Sequence, residues 1–304
     1  MRRLVILNPK SRNGQAEKLF HSQMERWEHL LGDFALFTTQ SAGDAQRKVR
    51  NTLEGGEVDQ IIIAGGDGTI NEALAGYRNE GRIINPEVPL GIIDCGTGGD
   101  LQRTVECFCK DYCDALAENR WSPVDNGIVK DSSGVDHYFL NIASVGMAGE
   151  MLKNLKNSAF QNGSAAYFYH SLKTLISFDP VSAVVEFSDG ESREVDIINL
   201  FVCNGQFSGG GMQWAPGAKL DDGMLRVTLL SGKRKLPLIV QSGKLYSGQV
   251  EKFPGAEIFA TKEVRVKFDK PMSLETDGEV IEMERKGNGE FLFRVEEKVF
   301  PLVI

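Results

Sequence analysis

Up to about residue 120, short continuously apolar runs alternate with stretches of helical period. Residues 4–7 (LVIL), 34–39 (FALFTT), 60–65 (QIIIAG) and 89–94 (PLGIID) read as strands without a polar face. Residues 15–31 and 44–54 are amphipathic at a period near 3.6. Strands apolar on both sides suit a sheet covered by helices on each face. Strand–helix alternation implies right-handed crossovers and parallel pairing. Beyond about residue 125 the period shortens to two. Runs at 182–187, 195–203, 224–230, 263–268 and 291–295 are β-type, and in EVRVKF (263–268) charged and apolar residues alternate strictly. Asp189-Gly190 and Asn288-Gly289 lie where hairpin turns want positive φ. Helical patches at 148–177 and 233–246 interrupt the strands. The pattern predicts an α/β domain with a parallel sheet over residues 1–124, followed by a mostly antiparallel β domain over 125–304.

Composition narrows the class. The chain has 304 residues, 41% of them hydrophobic, and 34 basic against 42 acidic residues give a net charge of −8. An acidic chain of this size argues against nucleic acid as a partner, because phosphate-backbone binding needs a basic face. No window approaches the roughly 18 apolar residues of a spanning helix. The start, MRRLVILNPKSRNG, has too short an apolar run for a signal peptide, so a cytoplasmic location is expected. Cys107, Cys109 and Cys113 lack the second cysteine pair of a zinc site, and with Cys95 and Cys203 they read as reduced thiols. His21, His29, His137 and His170 form no metal or triad pattern.

Candidate chemistry concentrates in glycine loops. Residues 64–72 read AGGDGTINE, with Gly65, Gly66 and Gly68 around the carboxylate of Asp67. Thr69 and Glu72 have capping-box spacing, and Ile70, Ala73, Leu74 and Tyr77 supply one apolar helix face. Glycine amides at a helix N-terminus make an anion site. There is neither GxxxxGK[ST] nor GxGxxG here, and Asp67 would repel a bare phosphate, which makes sense with Mg²⁺ nearby. A second glycine loop, DCGTGGDLQRT (94–104), and the loop NPKSRNG (8–14) follow other strands of the same sheet. In a parallel sheet these loops open on the carboxyl edge, where nucleotides bind.

NPKSRNG, GGDGTINE, GTGGD, the string NGQFSGGGMQWAPGAKLDDGMLRV (204–227) and the late ETDGE (275–279) resemble, in order and spacing, the diacylglycerol kinase catalytic family. GGDGT is shared with NAD kinases and related to the phosphofructokinase loop; the string at 204–227 is more specific. The resemblance covers essentially the whole chain. It implies an NAD kinase/phosphofructokinase-like first domain, a lipid-binding β-sandwich second domain, and transfer from ATP to a lipid hydroxyl in the cleft between them. Diacylglycerol is the first candidate acceptor, with a soluble acceptor such as NAD, or a catalytically weak regulator, as alternatives. Carried over, ATP is held by Asn8, Pro9, Lys10, Ser11 and Gly14, by Thr39, by Gly65, Gly66, Asp67, Gly68, Thr69, Asn71 and Glu72, and by Thr97. Mg²⁺ falls to the Asp222 side chain with the carbonyls of Lys219 and Met224, although Asp221-Asp222-Gly223 is also a plain turn signal. Glu279 or Asp277, with Asp67, supplies the catalytic acids, Glu279 being preferred as base. Asp277-Gly278 on its own is equally a hairpin signal.

One departure from the family pattern is Gly99-Asp100, where Asn-Asp is common. It bears on the identity of the acceptor lipid. Residues 231–248 mix Lys233, Arg234, Lys235 and Lys244 with Leu236, Leu238, Ile239, Val240, Leu245 and Tyr246. That mixture suits transient contact with an anionic membrane surface, and equally an amphipathic helix packed on the sandwich. The partners implied are a lipid substrate and the membrane surface, giving a peripherally membrane-associated protein, with a homodimer left open.

Overall fold

The computed structural model describes residues 1–160, 164–233, 235–282 and 287–304, and divides into two compact units. The first unit comprises Met1–Val124 with Lys298–Ile304. Its strands β1 (Arg3–Leu7), β2 (Phe34–Thr38), β3 (Gln60–Gly65) and β4 (Leu90–Asp94) pair in parallel in the order β2-β1-β3-β4. Every residue of β1 and β3 is buried, which is why they are apolar apart from Arg3 and Gln60 at their starts, where Arg3 Nε donates to Gln60 Oε1 (2.7 Å). Helices α1 (Ala16–His21), α2 (Met24–Leu31), α3 (Asp44–Gly55), α4 (Asp67–Gly76), α5 (Asp100–Phe108) and α6 (Tyr112–Glu118) accompany the sheet. The single amphipathic run expected over 15–31 is two helices. Ser22 ends the first by donating its hydroxyl to the Leu19 carbonyl (2.7 Å).

The sequence pattern extends the second domain to residue 304, but Lys298–Ile304 belongs to the first unit. Leu302 pairs in parallel with Leu90 of β4, and Phe300 packs on the buried ring of Tyr77 at 5.0 Å between centroids. An apolar strand finds its buried place in the sheet, whatever its distance in sequence.

The second unit, Asp125–Glu297, is antiparallel. It contains the later part of β5 (Trp121–Lys130), then β6 (Asp136–Phe139), β7 (Ile142–Gly146), β8 (Val181–Phe187), β9 (Ser192–Cys203), β10 (Leu225–Ser231), β11 (Ala256–Thr261), β12 (Glu263–Phe268), β13 (Leu274–Thr276), β14 (Glu279–Ile281) and most of β15 (Gly289–Val303). The long strand β9 is shared between two layers. Its first half pairs with β8, and the layer continues through β12 to β15. After a bulge between Ile197 and Asn199, its second half pairs with β10 on one side and β7 on the other. That layer extends to β11 and to β13-β14.

Alternation then explains the largely apolar VDIINLFVC, in which both faces of the later half are covered. Leu200 and Val202 enter a core that takes Val185, Val264 and Phe293 from one layer and Val145 and Val227 from the other. Phe201 and Cys203 point to the opposite face, where Trp214, Leu238 and Leu245 bury them. This sandwich carries helices α7 (Met147–Lys156), α8 (Ser164–Ser177) and α9 (Leu236–Val240), the last followed by a 3₁₀ turn at Ser242–Ser247. Residues 161–163 of the expected patch 148–177, and Arg234, lie outside the described residues. Gly190 (φ 89°) makes the β8–β9 hairpin as expected. At Asn288-Gly289 there is no such turn, because Gly289 is already in register with Phe268.

Candidate functional site

In the first unit three loops meet at the carboxyl edge of the sheet. Asn8, just past β1, donates its amide to the Ala64 carbonyl (3.0 Å) and its side-chain Nδ2 to Thr69 Oγ1 (2.8 Å), while its Oδ1 accepts from the Lys10 amide (3.0 Å). Ser11 Oγ accepts from the Gly66 amide (3.3 Å). Arg12, Asn13 and Gly14 follow in left-handed conformation (φ 52°, 57° and 79°), which turns the chain sharply after the half-buried Pro9. Thr39, buried past β2, is tied through its amide to the Leu7 carbonyl (2.9 Å).

The capping box expected at Thr69 and Glu72 does not form. Helix α4 starts three residues earlier than such a box requires, at Asp67, with Gly66 as its N-cap and no side-chain cap. The amides of Thr69 and Ile70 bond the Gly66 carbonyl, and the Thr69 hydroxyl is spent on Asn8. The amides of Asp67 and Gly68 therefore precede the intrahelical ladder at the positive end of a ten-residue helix. Asn71 and Glu72 are half-buried in its early turns, and Thr97 is exposed past β4.

Glycine is sterically required where the loops after β3 and β4 touch. A Cβ on Gly96 would lie 2.6 Å from the Gly66 Cα, and one on Gly65 would lie 2.9 Å from the Thr69 side chain. Gly99 has φ 61° and caps α5. That φ is one asparagine also adopts, but a Cβ on Gly99 would overlap Asp94 Oδ2, so the glycine makes room for the Asp94 carboxylate as well as losing the amide group. Asp94, at the end of β4, is exposed at the surface, yet partial loss of hydration raises its carboxyl above its usual range. The Gly96 amide opposes the shift, the Asp67 charge adds to it, and Arg12 and Arg103 pull it back. Gly96 and Asp94 lie within the second glycine loop, but only the tertiary contact marks them.

The acids of the second unit separate into distinct environments. Asp277 (φ 47°) accepts three backbone amides, from Leu140 (2.9 Å), Asn141 (3.0 Å) and Ile142 (2.9 Å). Its carboxylate latches the entry into β7 (residues 140–142) to the β13–β14 turn, which leaves it badly placed to serve as a base. Glu279 is half-exposed and pairs with Lys156 at 2.7 Å. Asp222 has both oxygens engaged, one by the Met224 amide (3.1 Å) and one by the Arg226 guanidinium (2.6 Å). Lys219 is exposed and Met224 half-buried beside it. The Arg226 guanidinium already neutralises this carboxylate, so a divalent cation held here with the Lys219 and Met224 carbonyls would have to displace it.

Sequence reading passed over Glu275. It is buried, accepts from Ser144 Oγ (2.7 Å) and the Gly278 amide (2.9 Å), and burial pushes its carboxyl up to about 7. It lines an apolar groove with Met147, Met151, Leu172, Phe201 and Trp214. Around this groove the segment expected at the membrane surface splits. Leu238 and Leu245 pack into the core, whereas Leu236, Val240 and Tyr246 are exposed, as are Phe168, Tyr169 and Ile176 of α8. Lys235 joins the two groups through the Ile176 carbonyl (2.8 Å). No helix among the described residues is long and apolar enough to cross a membrane.

Comparison with known proteins agrees with this construction. The profile described as "Diacylglycerol kinase catalytic domain" matches residues 2–129, and "YegS C-terminal NAD kinase beta sandwich-like domain" matches residues 141–286. The "Probable lipid kinase YegS-like" of Chromohalobacter salexigens is 31% identical over 232 residues, covering 74% of this chain and 70% of that one. The "Diacylglycerol kinase" of Bacillus subtilis is 28% identical over 281 residues, covering 90% and 88%. A solved structure from Bacillus anthracis str. Sterne has a TM-score of 0.72 at 22% identity, covering 99% of this chain and 97% of that one, a likeness of fold alone. With the glycine loops in the first unit and the sandwich in the second, the chain belongs to the diacylglycerol kinase catalytic-domain family of YegS-like lipid kinases.

Proposed function

We propose that the protein transfers the γ-phosphoryl group of ATP to a hydroxyl of diacylglycerol or a related lipid. The observation that carries this reading is the Gly66–Gly96 contact at the N-terminus of α4, which leaves backbone amides, and no Cβ, facing the carboxyl edge of the sheet. Amides and helix dipole there suit polyphosphate. Asn8, Pro9, Lys10, Ser11 and Gly14 border the same edge, with Thr39, Asn71, Glu72 and Thr97 around it. Asp67 and Asp94 offer hard oxygens to a cation carried by the nucleotide. When bound, ATP supplies the phosphoryl group and Mg²⁺ neutralises its charge.

Glu279 takes the proton from the acceptor hydroxyl; Lys156 orients its carboxylate. Asp277 keeps the turn that carries Glu279 in place. The apolar groove of the second unit accommodates the acyl part of the acceptor. The exposed residues Leu236, Val240 and Tyr246 make transient contact with the membrane that holds it. The test is radiolabel transfer from ATP to a panel of lipids and to NAD, with wild type and Asp67→Ala. Transfer to a lipid that Asp67→Ala abolishes is expected. Undiminished transfer by the variant, or transfer to NAD and to no lipid, overturns the reading.

A further inference from the structure

The strand register decides which way Glu275 faces. Thr228, Phe201, Ser144 and Glu275 stand directly opposite one another across β10, β9, β7 and β13, so they share one face of the sheet. That is the face covered by α7, α8, α9 and the 3₁₀ turn, and between them lies a groove with about 850 Å³ of empty space including its open mouth. Its wall is apolar, and among the described residues Glu275 is the one carboxyl in it. Each carboxylate oxygen has two acceptor sites, and Ser144 and Gly278 use one apiece. The charged and titratable groups that act on it are Asp277 and Glu279 on its own turn and the buried Cys203 thiol of β9, and Tyr167 and Tyr246 line the same groove. Among the described residues no cation pairs with it.

A carboxyl buried against an apolar wall is costly unless donors satisfy it. Packing alone would be served by an apolar residue, and the bond to Ser144 by a neutral amide. An amphiphile that fills such a groove brings a polar end with it. A hydroxyl or ammonium there is the partner that two unused acceptor sites lack.

We propose that Glu275 is a specificity-determining residue of the acceptor site, taking a hydrogen bond from an O–H or N–H donor on the head of an amphiphile whose chain fills the groove. This inference rests on the lipid-kinase reading for its biological sense, but binding can be read without transfer. Trp214 in the groove wall is a built-in reporter, since bromine on a bound chain quenches its fluorescence. The full-length protein is titrated in detergent micelles with three chain-brominated probes: a monoacylglycerol, its dimethyl ether and a long-chain amine.

In wild type, the monoacylglycerol or the amine quenches at a concentration at least about tenfold lower than the ether. Glu275→Met erases that preference. Glu275→Gln keeps it for the hydroxyl and loses it for the amine. Amine binding tightens from pH 6 to pH 8 as the carboxyl ionises, and monoacylglycerol binding does not follow it. Equal quenching by all three probes in wild type, quenching by none, or a preference that survives Glu275→Met overturns the proposal. The ether comparison needs no variant, so a misfolded Glu275→Met leaves the test intact. Unchanged transfer from ATP to diacylglycerol by Glu275→Met, with no donor preference in quenching, would sink this role and leave the kinase reading standing.

Discussion

Asp277 and Glu279 stand two positions apart and serve different ends. The Asp277 carboxylate is consumed by three amides, so Asp277→Ala should cost about 2–4 kcal/mol in urea denaturation through orphaned donors. Glu279 makes one half-exposed ion pair, so Glu279→Gln should leave stability within about 1 kcal/mol and lower transfer about 10²- to 10⁴-fold. The opposite pattern would reassign the base to Asp277. Glu275 predicts a pH signature. Its carboxyl rises from 4.5 to about 7 on folding, so between those values the folded state binds more protons than the unfolded one. Stability relative to Glu275→Gln should therefore be highest below about pH 4.5, fall as pH rises through 7, and level off above, losing on the order of 3 kcal/mol. Denaturation midpoints of the pair from pH 5 to pH 8 check this. A difference that grows in favour of wild type with rising pH contradicts it.

At the scale of elements, the nucleotide edge depends on two loops approaching without side chains between them. Gly96→Ala places a Cβ against the Gly66 backbone, which cannot yield as a side-chain tip would. The expected result is a KM for ATP raised at least about tenfold, with the lipid KM unchanged. An unaltered ATP KM would show that the contact is structural only. The segment Leu236–Val240 with its 3₁₀ turn carries two faces. Leu238→Ala should cost about 2–5 kcal/mol, because Leu238 is buried among Phe201, Trp214 and Leu230. The double variant Leu236→Ser/Val240→Ser should fold as wild type yet sediment less with lipid vesicles. Equal sedimentation would remove these residues from the membrane contact.

For the whole molecule, the notable economy is that the chain leaves its first unit at Val124 and returns to it at Lys298. Leu302 extends the parallel sheet beside Leu90, and Phe300 packs against the Tyr77 ring. Deleting residues 298–304 should expose one side of β4 and the Tyr77 ring. The first unit should then melt earlier than the second, giving two thermal transitions where the intact chain gives one. A single unshifted transition would show that the returning strand adds little.

The sequence by itself determined the alternation of strand and helix, the change of period near residue 125 and the glycine loops. Those features are local, because each records whether one or both faces of an element are buried. It also carried the family, since five strings keep their order and spacing along the chain. Only the tertiary structure decided which loops touch, that Thr69 serves Asn8 and not a cap, that Arg226 occupies the Asp222 carboxylate, and that Glu275 faces the apolar groove. Each of these depends on strand register or on residues far apart in the chain. Asp277, Glu279 and Glu275 lie within five residues of one another, yet chain position assigned them no separate roles. Their burial and partners did, because a carboxyl group's behaviour is set by the donors, charges and water that the fold places around it.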